Sequence, residues 1–113
     1  MLTKQDREII RWHTPDDKKP YTIWHLKFPN GPSGAFEHIS KIAEGEPETE
    51  KEWIARRLLN NIEKVENYDG KTLTDPNEIA DAVDGLRESN VVYMIGAINR
   101  EPMHVNMGLI EKN

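Results

Sequence analysis

Between Pro47 and Pro102 the chain marks its own helix boundaries, and this punctuation constrains the fold more than any other feature. Thr49 stands three residues ahead of Glu52. At that spacing a hydroxyl caps the N3 amide while the carboxylate reaches back to the cap amide. Asp75 and Glu78 repeat the device, with Pro76 at the first helical position, where a missing N–H is no loss. Ser89 is placed to cap the helix that follows it. Such explicit starts predict a compact helical body joined by short turns, and they say little about chemistry.

The apolar residues fill in these helices. Ile54, Leu58, Ile62 and Val65 recur at helical spacing, with Trp53, Ala55 and Leu59 widening the stripe, which predicts a helix over 50–67 with Asp69-Gly70 as the turn beyond it. A third helix over 76–85 turns Ile79, Ala80 and Val83 inward and stops at Gly85; a fourth over 90–100 turns in Val91, Met94, Ile95 and Ile98, and Pro102 closes it. Val92 and Tyr93 fall off that stripe, so they face either a neighbouring element or a partner. A short helix over 34–44 follows Ser33, with Phe36, Ile39 and either Ile42 or Ala43 at helical spacing and Gly45 as its stop.

Before Ser33 the period is two. Ile10 and Trp12 alternate with polar neighbours, Thr14 to Pro20 cannot continue a strand, and Trp24, Leu26 and Phe28 then share a face, which predicts a β-hairpin over 8–28. Pro29-Asn30-Gly31-Pro32 ends it. After Pro102, Met103, Val105, Met107 and Leu109 alternate with polar or small residues, again a strand period. This tail either adds a third strand to the hairpin or forms an arm, residues 103–113, that engages a partner. The expected fold is therefore α+β: one domain over 1–113, with an N-terminal hairpin packed on a mostly helical, four-helix body. Exposed apolar surface commonly marks a binding site, and the candidates for it are Tyr93, Met103, Met107 and Leu109.

Composition narrows the function classes. The net charge of −5 is uneven: residues 1–33 hold six Lys or Arg against four Asp or Glu, and the remaining 80 hold nine against sixteen. An acidic helical body disfavours nucleic acid, which demands clustered cations. The chain has no cysteine, hence no disulfide framework and no thiolate metal site, which fits a reducing compartment. No apolar segment has the length of a membrane span or of a signal h-region.

No spacing points to catalysis or to a cofactor. His13, His25, His38 and His104 are scattered, without the H-x-x-x-H or H-E-x-x-H of a metal site. Asp16-Asp17 and the Asp81/Asp84 pair read as turn-forming or solubilising residues. Gly31-Pro32-Ser33-Gly34 lacks the spacing of a phosphate loop, and no serine sits in a nucleophile elbow. A non-enzymatic protein without cofactor or metal is the expectation.

Laid out in order, the segments Trp53 to Lys71 (WIARRLLNNIEKVENYDGK) and Thr74 to Ile98 (TDPNEIADAVDGLRESNVVYMIGAI), after the hairpin segment Tyr21 to Leu26, resemble the small tail assembly chaperones of long-tailed bacteriophages over about residues 20–100. The resemblance implies a helix ending at Asp-Gly, a short helix, a linker and a final helix. It also implies a protein that binds the tape measure protein and helps tail tube subunits polymerise, and it supplies no catalytic residues. The alternating tail after Pro102 departs from that pattern and leaves open a structural tail or baseplate component, while the acidic balance of the last 80 residues keeps a second alternative, an acidic anti-defence inhibitor. A homo-oligomer is compatible with each.

Overall fold

The computed structural model describes residues 9–27, 44–45 and 58–110. Strands β1 (Ile10–Trp12) and β2 (Ile23–Leu26) form the expected hairpin, with Ile10 opposite Leu26 and Trp12 opposite Trp24. Strand β3 (Ile62–Tyr68) pairs with β2, β4 (Lys71–Leu73) with β3, and β5 (Leu109–Ile110) with the other side of β1. All pairings are antiparallel, in the order β4-β3-β2-β1-β5. Helices α1 (Pro76–Asp84), α2 (Glu88–Ile98) and α3 (Pro102–Gly108) lie between β4 and β5 in the chain. The fold is α+β.

Residues directly opposed in a sheet share a face. The register therefore lines up Leu73, Val65, Trp24, Trp12 and Leu109 in one row across all five strands. The first four are buried and join Leu26, Ile62, Leu58, Ile79, Ala82, Met94, Ala97 and Ile98 in a single core. Leu109 ends the row at the sheet edge. The row on the opposite face reads Lys64, His25, Arg11 and Ile110.

The expected helix over 50–67 is corrected. Residues 58–60 are helical, and from Ile62 the chain is a strand. The physical cause is a pair of register shifts. The first, between His25 and Leu26, skips one residue of β3, so that Lys64 faces His25 while Ile62 faces Leu26; the second falls between Val65 and Tyr68. A bulge resets the two-residue alternation. Ile62, Val65 and Tyr68, three apart, thus all reach the core, and the same spacing mimics a helical stripe. Asp69 (φ 52°) and Gly70 (φ 76°) form the two positive-φ positions of a tight hairpin turn, so Asp-Gly joins two strands and does not end a helix.

Helix starts are partly as expected. Pro76 begins α1 after Asp75, but the Asp75 side chain makes no capping bond, and Gly85 ends the helix at φ −80° without entering the left-handed region. Ala82 is buried where Ala80 was expected to be. Ser89 caps nothing: α2 begins one residue earlier, at Glu88. Gly45 has the left-handed φ of 76° expected of a stop. The helix over 34–44, the Thr49/Glu52 box and residues 53–57 lie outside the described residues.

Candidate functional site

The C-terminal quarter of the chain builds the surface of most interest. Helix α2 ends in a Schellman motif: Glu101 N–H bonds Gly96 O at 2.9 Å, Arg100 N–H bonds Ala97 O at 3.0 Å, and Arg100 adopts φ 59°. Pro102 then starts α3 at the position that tolerates proline. The turn lays α3 back across α2. The His104 ring rests directly on Gly96, where a Cβ would overlap the imidazole. Glu101 Oε2 stands 2.8 Å from His104 Nδ1, and Tyr93 meets the same ring edge-on at 5.4 Å.

The far end of α3 is held by β1. Trp12 Nε1–H donates to His104 O at 3.1 Å, and His13 N–H donates to Gly108 O at 2.9 Å. Gly108 is buried against the Trp12 indole and the His13 carbonyl, with no room for a side chain. Leu109 and Ile110 then pair with Trp12 and Arg11. The tail thus completes the protein's own sheet, and an arm over 103–113 is not what the described residues form. The strand expected from Met103 onward is a helix up to Gly108, and only two residues are extended.

Within that helix His104, Val105 and Gly108 face in, while Asn106 and the methionines face out. His104 and Gly108, four apart, make the inward contacts, while Met103 and Met107, also four apart, are 68% and 46% exposed. Leu109 is 37% exposed and Val92 on α2 is 55% exposed; these four are the large apolar side chains exposed among the described residues. Of the four sequence candidates, Met103, Met107 and Leu109 thus share this exposed set. Tyr93 is half-buried on His104, and Val92, off the inward stripe of α2, is exposed in its place.

A second concave site was missed in the sequence. An open cleft of about 300 Å³ lies between the β1–β2 loop and the α1–α2 turn, lined in part by Asp16, Asn90, Arg87, Tyr68 and Trp24. Buried Asn90 donates its Nδ2 to both Asp16 oxygens, at 3.0 and 3.1 Å, and Arg87 Nη1 stands 3.7 Å from Oδ2. The Asn90 bond is the main reason the Asp16 carboxyl is held below its ordinary range. Asn90 is the third residue of α2, so Asp16 brings from a distant loop the negative charge that a local cap would supply. Asp17 stiffens the same loop by accepting from the Lys18 and Thr22 amides, both at 2.8 Å. Two aspartates read as turn residues therefore do split work, one inside the loop and one between loop and helix.

On the opposite sheet face, His25 is buried with Nε2 2.8 Å from Glu66 Oε1, and Lys64 Nζ is 3.5 Å from the same oxygen. Burial opposes ionisation of Glu66, but the adjacent His25 and Lys64 outweigh it and hold the carboxyl below its ordinary range. His13 stacks on Tyr21 at 3.9 Å. The three described histidines are thus dispersed. No group of three His, Asp or Glu among the described residues is placed to share a metal ion, and no helix among them is long and apolar enough to cross a membrane. No known protein family, no curated protein and no solved structure matches this chain.

Proposed function

We propose that this chain is a non-enzymatic protein-binding module and that its partner docks on the outer face of α2, α3 and β5. The observation that carries the reading is the gathering of Val92, Met103, Met107 and Leu109 within one α2–α3–β5 unit while the core is filled elsewhere. Methionine suits such a surface, since its unbranched thioether adapts to varied contacts.

The bacteriophage resemblance gives the module a specific form, an assembly chaperone that binds the tape measure protein or tail tube protein in the host cytoplasm. Its support lies in Thr74 to Ile98, where α1 and α2 follow one another in the implied order. The stretch that the resemblance reads as a helix ending at Asp69-Gly70 is a β-hairpin and lends it nothing. The test is calorimetric titration of tape measure and tail tube proteins with the wild-type chain and with a Met103→Gln/Met107→Gln double variant. Binding lost in the variant supports the module, and wild-type affinity in the variant refutes the surface. Mass spectrometry of purified particles then separates a chaperone, absent from them, from a structural subunit.

A further inference from the structure

We infer that Met103 and Met107 form a reversible oxidation site, the side chains that peroxide modifies first among the described residues, and that oxygen taken up there erases the apolar ridge of α3 while the fold stays intact. The effect on a partner rests on the docking surface proposed above; the oxidation itself does not. The chain has no cysteine, so no thiolate competes for peroxide and the thioethers are its softest nucleophiles. Met103 and Met107 are exposed on one face of α3, whereas Met94 is fully buried in the core. The indoles of Trp12 and Trp24 are buried as well. Susceptibility follows exposure, which sets the pair apart from Met94.

The step balances with a peroxide as co-reactant. The thioether sulfur attacks one peroxide oxygen, an S–O bond forms as the O–O bond breaks, and the displaced hydroxide takes up a proton and leaves as water. The sulfur gives up two electrons and the peroxide gains them. With no thiol of its own, the chain depends for reversal on a methionine sulfoxide reductase, whose two thiols return the electrons, become a disulfide and release the oxygen as water. Oxidation turns a flexible apolar side chain into a polar one, which disrupts a core. Neither Met103 nor Met107 belongs to the core, and α3 is held through His104, Val105 and Gly108 instead. The pair makes up half of the four large apolar side chains exposed among the described residues, so two sulfoxides change the surface and leave the packing alone.

The test exposes the full chain to hydrogen peroxide for increasing times and follows each methionine by peptide mass spectrometry. Met103 and Met107 should oxidise at least about tenfold faster than Met94, which reacts only when the core opens, and urea should close that gap. The protein oxidised at both positions is then compared with the untreated chain by urea unfolding and by retention on a hydrophobic-interaction column. Its unfolding midpoint should be unchanged, its retention should fall to that of the untreated Met103→Gln/Met107→Gln variant, and sulfoxide reductases for the two sulfoxide epimers should restore the retention. Oxidation of Met94 in step with the pair, a lowered midpoint, or unchanged retention would overturn the site. Calorimetric titration of the tape measure and tail tube proteins with both forms separates this inference from the docking proposal. Selective oxidation with the fold intact and with client binding undiminished would leave the oxidation site standing and refute the docking surface.

Discussion

Replacing Gly108 by alanine sets two well-understood effects against each other. In a helix, alanine is favoured over glycine by about 1 kcal/mol, so propensity alone says that the variant is stabilised. The surroundings say otherwise, because the new Cβ would fall on the His13 carbonyl oxygen and on Trp12 Nε1, with Trp12 Cε2 2.8 Å away. Backbone and a fully buried indole cannot swing aside as an exposed side chain would. Forcing a methyl into a filled site costs about 1–3 kcal/mol. Moving the end of α3 outward instead breaks His13 N–H to Gly108 O and strains Trp12 Nε1–H to His104 O. Leaving the indole donor unpaired costs about 1–3 kcal/mol more. The clash outweighs propensity, and the net loss should be about 2–4 kcal/mol, a large share of a total of about 5–15 kcal/mol. Urea unfolding followed by tryptophan fluorescence measures it, with Met107→Ala on the outer face of the same helix as the near-silent control. A Gly108→Ala protein as stable as wild type, or more stable, would refute close packing of α3 on β1.

Leu58→Ala should cost about 2–5 kcal/mol, since Leu58 is 2% exposed. Glu63→Ala, on an exposed strand position, should stay within about 0.5 kcal/mol, and equal midpoint shifts for the two would show the core wrongly assigned. Gly70→Ala should cost about 1–2 kcal/mol through its φ of 76° alone, as its surroundings are open; an unchanged midpoint would argue against the tight turn. Asp16 titrates below its ordinary value of 3.8. Its contribution is therefore present above that value and is lost as pH falls through the folded-state value. Asp16→Ala should lower the denaturation midpoint at about pH 7, by a margin that shrinks as pH falls below 3.8; a gap that stays constant into acid would show that charge is not what Asp16 supplies.

How much of this was legible depends on whether neighbours in sequence or neighbours in space set the pattern. The β1–β2 hairpin and α1 are local structures, and their alternation and the Asp75-Pro76 start mark them in the sequence. β3 is not, because its bulges are fixed by pairing with distant strands and convert alternation into a spacing of three. Asp69-Gly70 is the one local signal there that favours a hairpin over a helix. Asp16 and Asn90 meet across 74 positions, so the cleft had no contiguous motif. Met103, Met107 and Leu109 could be singled out as an apolar set, but their geometry could not. An inward His104 and Gly108 make sense only beside Gly96 and Trp12.

That inversion bears on how the surface would work. A free arm must lose conformational freedom when it binds, about 1–2 kcal/mol for each backbone residue it orders. Residues 102–110 are ordered already, by a helix cap, a ring seated on a glycine, hydrogen bonds from Trp12 and His13 and a two-residue strand. Their inward contacts come from His104, Val105 and Gly108. The adaptable side chains, Met103 and Met107, are left facing solvent. The backbone cost of presenting them is met within the fold, so a partner has only the methionine rotamers to order, and the flexibility of those side chains lets one rigid helix fit clients of different shape. Truncating the tail would therefore remove the proposed binding surface and part of the core together, whereas changing the two methionines tests binding alone.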